Sequence, residues 1–193
     1  MLNIVSANGQ KAQSIQHLIG EKSAETDFCL ASQIFAADIL VDPDDSNTVL
    51  LAAGLFSDDV ERITGLKPDV KNHMDAISSE CVIIGSIEGS DIIKKLIKKK
   101  KIDVSGIKGK WESCLIQVVQ NPLPGVDRAL VIAGSDRRGA AYGIFELSKQ
   151  MGVSPWYYFA DVPVKKSDEI YVKAGRYVQE SPSVKYRGIF IND

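Results

Sequence analysis

The chain has little of most things that announce a function. Its 193 residues include three cysteines and two histidines. Cys29, Cys81 and Cys114 are odd in number, widely spaced and without a C-x-x-C pair, which excludes a disulfide framework as the organising device. Cys81 and Cys114 lie in apolar runs, where a thiol behaves as a small hydrophobe. His17 and His73 have no His or Cys one helical turn away, so no metal site and no cofactor are assigned. No apolar run approaches the roughly 18 residues of a membrane span. The N-terminal MLNIVSANGQKAQ lacks the basic start and apolar centre of a signal peptide, so the protein is cytoplasmic or a leader was removed before this numbering begins. A net charge of -2 gives no ground for nucleic acid or an anionic membrane as partner. No internal repeat and no low-complexity segment is visible.

What remains is the composition of a soluble globular protein, 45% hydrophobic and 25% charged, long enough for one ordinary core. Beta and helical patterns alternate. Ile34–Val41 reads as a strand closed by the turn-rich DPDDSN, and Thr48–Ala53 as a second, stopped by Gly54. Ser57 is the expected cap of a short helix with Val60 and Ile63 inward and Gly65 at its end. Cys81–Ile84 is a strand. Ser90 caps a helix whose pairs Ile92/Ile93 and Leu96/Ile97 repeat every four residues. The lysine run Lys98–Lys101 at its end complements the helix dipole, and no aromatic residue interleaves to stack on bases.

Leu115–Val119 and Ala129–Ala133 read as a hairpin around QNPLPGVD. A helix over Arg137–Met151 follows, with Ala141, Ile144, Phe145 and Leu147 inward and Gly152 at its end. Then come the aromatic cluster Trp156–Phe159, a strand Glu169–Val172, and after Ser181-Pro182-Ser183 a last strand, Tyr186–Ile191. The pattern predicts an α/β (α+β) fold: a mixed, mostly antiparallel sheet with helices packed to one side of it.

Gly134-Ser-Asp-Arg-Arg-Gly139-Ala-Ala-Tyr-Gly143 has the G-x-x-x-x-G spacing of a phosphate loop but not its chemistry. The Lys and Ser/Thr that would reach the phosphates and magnesium are replaced by Ala140 and Ala141. Ser135 or Asp136 caps the helix, and Gly139, Ala140 and Gly143 are small enough for close packing. Arg137 and Arg138 stand where cations oppose the helix dipole. Stability does not place them there, so they answer an anion, either a carboxylate of the protein or one of a substrate.

The block AGSDRRGAAYGIFELSKQMGVSPWYYFADVPV, followed by SPSVKYRGIFIND, closely resembles the N-terminal portion of glycoside hydrolase family 115, the xylan α-1,2-glucuronidases. LLAAGLFSDDVERITG, IIGSIEGSDIIKKL and IDVSGIKGKWES agree with it. The R-G-A-x-Y-G helix start also resembles the N-terminal domain of β-hexosaminidase-type hydrolases. The resemblance implies an N-terminal extension (1–30), an α/β domain (31–178), and a linker with the first strand of a truncated (β/α)8 barrel (179–193). It implies an inverting enzyme, periplasmic or secreted, that removes (4-O-methyl-)glucuronic acid from glucuronoxylan or a xylo-oligosaccharide. Its two carboxyl groups would stand about 6.5–9.5 Å apart, with the acid outside this chain.

Asn192 and Asp193 are then expected at the catalytic face of the barrel. Asp193 is a candidate base, a group orienting a sugar hydroxyl, or part of a loop. Asp136, Arg137 and Arg138 are candidates for the glucuronate carboxylate. Trp156 and Tyr157 are candidates for a sugar-stacking wall or for a domain interface. One strand closes no barrel, so the chain alone is expected to be inactive, with the missing barrel of the same polypeptide as its partner. The alternative is a noncatalytic carbohydrate-binding or interaction module of the same fold.

Overall fold

The computed structural model describes residues 13–15, 17–75 and 77–188. In chain order the elements are β1 (Gln13–Ser14), β2 (Ile19–Gly20), β3 (Phe28–Ser32), β4 (Phe35–Ala36), β5 (Asp38–Val41), α1 (Asn47–Thr64), β6 (Val70–Lys71), β7 (Glu80–Ser86), α2 (Asp91–Lys98), β8 (Cys114–Gln120), β9 (Arg128–Gly134), α3 (Arg137–Met151), α4 (Tyr157–Ala160), β10 (Ile170–Val172) and β11 (Arg176–Gln179). They build a seven-stranded sheet ordered β1-β11-β8-β9-β7-β5-β6 and a four-stranded one ordered β2-β10-β3-β4. The small sheet is antiparallel throughout. The large one is mixed: β5, β6, β7 and β9 run parallel, and β8 returns antiparallel between β9 and β11. This is the predicted α+β architecture with a mixed sheet.

From Gln13 onward, the stretch assigned above to an N-terminal extension adds strands to both sheets, and Leu18, Phe28 and Leu30 are fully buried. The single strand expected at Ile34–Val41 is two, because the β3–β4 register pairs Ser32 with Phe35 across a tight turn and leaves Ile34 exposed.

The helices do not all lie on one side. Alternate side chains of the central strands point to opposite faces. Ile39, Val82, Ile84, Leu130 and Ile132 meet α1, α3 and the small sheet in one core. Leu40, Ile83 and Val131 meet Ile93 and Leu96 of α2 in the other. A strand buried on both faces is apolar at every position, so its sequence does not say which face a helix takes.

The expected strand Thr48–Ala53 is the first half of α1. Ser46 caps it, accepting from the Thr48 N–H at 3.3 Å, and Val49, Ala52, Ala53, Phe56, Val60 and Ile63 form one buried face. That face has helical spacing, which an unbroken apolar run conceals. Gly54 does not interrupt it, and the expected cap Ser57 is a buried residue of the same helix whose hydroxyl donates to Pro68 O at 2.7 Å. Gly65 ends the helix with φ +84, as expected.

α3 has the predicted bounds. Ile144 and Leu147 are fully buried, each contributing about 1.5–3 kcal/mol. Phe145, expected inward, is 41% exposed; it falls outside the stripe through Ala140, Ala141, Ile144 and Leu147. Burial pushes the Cys81 and Cys114 thiols up to about 12, consistent with small hydrophobes rather than nucleophiles. Of the last expected strand, Tyr186–Ile191, residues 186–188 are described and are not in a strand. A strand needs a neighbour for its backbone groups, and no described segment pairs with them. Asn192 and Asp193 lie outside the described residues.

Candidate functional site: an arginine-rich corner at the start of α3

The β8–β9 hairpin sets Cys114 opposite Gly134. The residues just before β8 and just after β9 therefore lie side by side. Ser135 N–H donates to Ser113 O at 2.8 Å, and Ser113 N–H donates to Ser135 Oγ at 3.0 Å. Asp136 is the helix cap, accepting from Gly139 N–H at 2.7 Å through Oδ1. Its Oδ2 accepts from Glu112 N–H at 3.0 Å. One carboxylate thus fixes both sides of the corner. Gly139 is required for close approach: a Cβ there would stand 2.3 Å from Ser113 O.

Glu112 is held in the left-handed region, φ +51, where a non-glycine residue is strained by about 1–3 kcal/mol. Its side chain is 4% exposed and carries a charge. Two guanidiniums compensate: Arg138 Nη1 is 3.0 Å from Oε1, and Arg187 Nη2 is 2.5 Å from Oε2. Arg187 also donates to Val184 O at 2.5 Å and lies against the rings of Tyr142 (5.8 Å) and Trp111 (6.0 Å). Ser181 Oγ donates to Trp111 O at 2.7 Å. The departing segment 181–188 is thereby strapped over the corner.

Asp136 and Arg138 both engage Glu112, the first through its backbone N–H and the second through its carboxylate, so Arg138 has a carboxylate of the protein as partner. Arg137 is exposed and forms no ion pair with a described residue. With Arg137 counted, the corner carries three arginines against the two carboxylates Glu112 and Asp136, an excess of positive charge. Arg138 is 56% exposed. A guanidinium presented this way, which also donates to the Tyr142 hydroxyl at 3.4 Å, is suited to a planar carboxylate. Trp156 and Tyr157 lie elsewhere: Trp156 is 59% exposed, and Tyr157 packs under Arg62 at 5.3 Å.

Sequence reasoning missed Glu112, Tyr142 and Arg187. Each stands inside a quoted motif, KWES, RGAAYG and KYRG, but their proximity depends on the hairpin register and the path of residues 181–188. Among the described residues, no cluster of His, Cys, Asp and Glu is arranged to hold a metal ion.

No protein-family model matches the chain, and no curated protein does. A solved structure does: BtGH115A, described as a novel family GH115 4-O-methyl-α-glucuronidase with specificity for decorated arabinogalactans. It is 32% identical over 86% of this chain, with a TM-score of 0.68, and the chain spans 20% of that protein's length. CpGH84D, at 11% identity over 87% of this chain and 24% of its own, has a TM-score of 0.45, too low to carry an argument. The fold and the first match define a glycoside-hydrolase-related α+β domain. More particularly, the domain resembles the N-terminal domain of glycoside hydrolase family 115, as the block around Arg137–Met151 implies.

Proposed function

We propose that this chain is the leading domain of an inverting glycoside hydrolase that removes (4-O-methyl-)glucuronic acid from the side chains of xylan. The observation that carries this reading is the 32% identity to a 4-O-methyl-α-glucuronidase across most of the chain. In this reading the domain supports a catalytic barrel and edges its pocket. Arg138 and Arg137 face the glucuronate carboxylate or brace the loop that does, Asp136 positions Arg138, and Trp111 and Tyr142 back the guanidiniums. Asn192 and Asp193 follow the strap and belong to the barrel's catalytic face, with Asp193 as base or as a partner of a sugar hydroxyl. A periplasmic or secreted location goes with a polysaccharide substrate.

The described residues form no barrel, and the 193 residues alone are expected to release no glucuronic acid from glucuronoxylan; measurable release by the purified chain would overturn this. In a polypeptide extended to the length of the matched enzyme, Arg138→Lys keeps the charge and loses the planar fork. Its KM on glucuronoxylan and on decorated arabinogalactan should rise about tenfold, and unchanged kinetics on both would leave Arg138 only its bond to Glu112.

A further inference from the structure

Between α1, α3 and the segment that follows α3 lies a cavity of about 360 Å³. Tyr142, Phe145, Tyr157 and Pro155 provide its apolar walls, and Asp59 and Ser148 its polar groups. Both polar residues are buried, Asp59 at 7% and Ser148 at 3% exposure. The Ser148 hydroxyl is close enough to ease the charge on Asp59, yet it makes no hydrogen bond of normal geometry with any described group. Asp59 is salt-bridged to Arg62 at 2.8 Å. Burial nevertheless raises its carboxyl above the usual range, by more than the Arg62 guanidinium beside it lowers it.

These groups constrain the occupant. An ion gains little, because Arg62 already neutralises Asp59 and Lys149 at the rim is 3.4 Å from Glu146. A purely apolar molecule would fill the walls but leave the Ser148 hydroxyl without a partner and give Asp59 none beyond Arg62. What fits is a neutral molecule with an apolar face and hydroxyl edges. A pyranose has that shape: its C–H face stacks on aromatic rings while its hydroxyls donate to a carboxylate and exchange bonds with a serine. The volume lies within the range of small-molecule sites.

We propose that this cavity binds one neutral pyranose residue, with Asp59 accepting from a sugar hydroxyl, Ser148 pairing with a second, and the rings of Tyr142, Phe145 and Tyr157 enclosing the apolar face. The cavity shares only Tyr142 with the arginine corner, so the proposal does not depend on glucuronidase activity. It would give a polysaccharide chain a second hold on the domain.

The test is a titration of the isotope-labelled 193-residue chain with methyl β-D-xylopyranoside, followed by backbone amide shifts. Saturable shifts at Phe145, Ser148 and Val153 are expected. Ser148→Ala removes the hydroxyl while keeping the helix and should weaken binding about tenfold, and Tyr157→Leu should abolish it. No saturable shift at these amides, or equal affinity in both variants, overturns the proposal. Glucuronic acid serves as the second probe. Shifts at Arg138 and Tyr142 with glucuronic acid, together with none at Ser148 with the xyloside, would retain the arginine corner and discard the cavity.

Discussion

Helices α2 and α3 start side by side on the same edge of the large sheet, since β7 and β9 run parallel with Ser86 opposite Gly134. Their starts are built from opposite charges. At α2 the caps are anions and hydroxyls: Asp42 accepts from Asp91 N–H at 2.7 Å, Ser90 from Ile93 N–H at 3.2 Å, and Asp45 from Ser86 N–H, Ser86 Oγ and Ser46 N–H, each at 2.7 Å. Asp42, Asp45, Ser86 and Ser90 are all buried. These bonds complement the dipole and consume the donors, so the corner is closed. At α3 one carboxylate, Asp136, does the capping. Of the cations beside it, which oppose the dipole, Arg138 is retained by Glu112, which is itself strained and buried. Charge that works against local stability, held in place by long-range contacts, sets the second start apart from the first and is why the proposed site is placed there.

The largest break in this comparison is expected from Gly139→Ala. Its Cβ would meet a backbone carbonyl that the hairpin prevents from moving, and the chain should lose about 3 kcal/mol of stability in urea unfolding. A loss under about 1 kcal/mol would mean the corner is looser than its hydrogen bonds imply. Next comes Asp45→Ala at the α2 start, which strands two backbone N–H groups and a hydroxyl and should cost about 2–3 kcal/mol. Smallest is Glu112→Gln. It keeps the side chain's size but removes the charge between two half-exposed guanidiniums, at a cost of about 1 kcal/mol. Its sharper readout is limited proteolysis. With Arg187 released, trypsin should cut after Lys185 or Arg187 several-fold faster while Asp45→Ala leaves that rate unchanged in the folded protein. Equal cleavage in the two variants would remove the strap from the argument.

Much of the α3 start was legible because its signals are local. A cap residue, an apolar stripe of period 3.6 and a terminal glycine lie within seventeen residues, and the helix they predict is the helix that forms. The same holds for Ser90 and α2. α1 was misread because its first turns are apolar on all sides, so the run satisfies a strand and a helix equally. The cap that decides, Ser46, lies inside a stretch that also reads as a turn. The strand β3 was missed because its place in the sheet depends on β10, about 140 residues later. Glu112 carries no local mark of its role either; its charge is explained only when Arg138 and Arg187 arrive from 26 and 75 residues away.

The sequence by itself determined the α+β class, the hairpin of β8 and β9, the bounds of α3 and the resemblance to family 115, all of which rest on short-range periodicity, capping and an unbroken motif. Tertiary structure alone decided which face each helix covers, that Arg138 has a protein partner, and that Asp59 and Ser148 share a cavity with aromatic walls. Those outcomes depend on which strands become neighbours, and neighbours are chosen by a whole core being filled at once rather than by any one segment's preference.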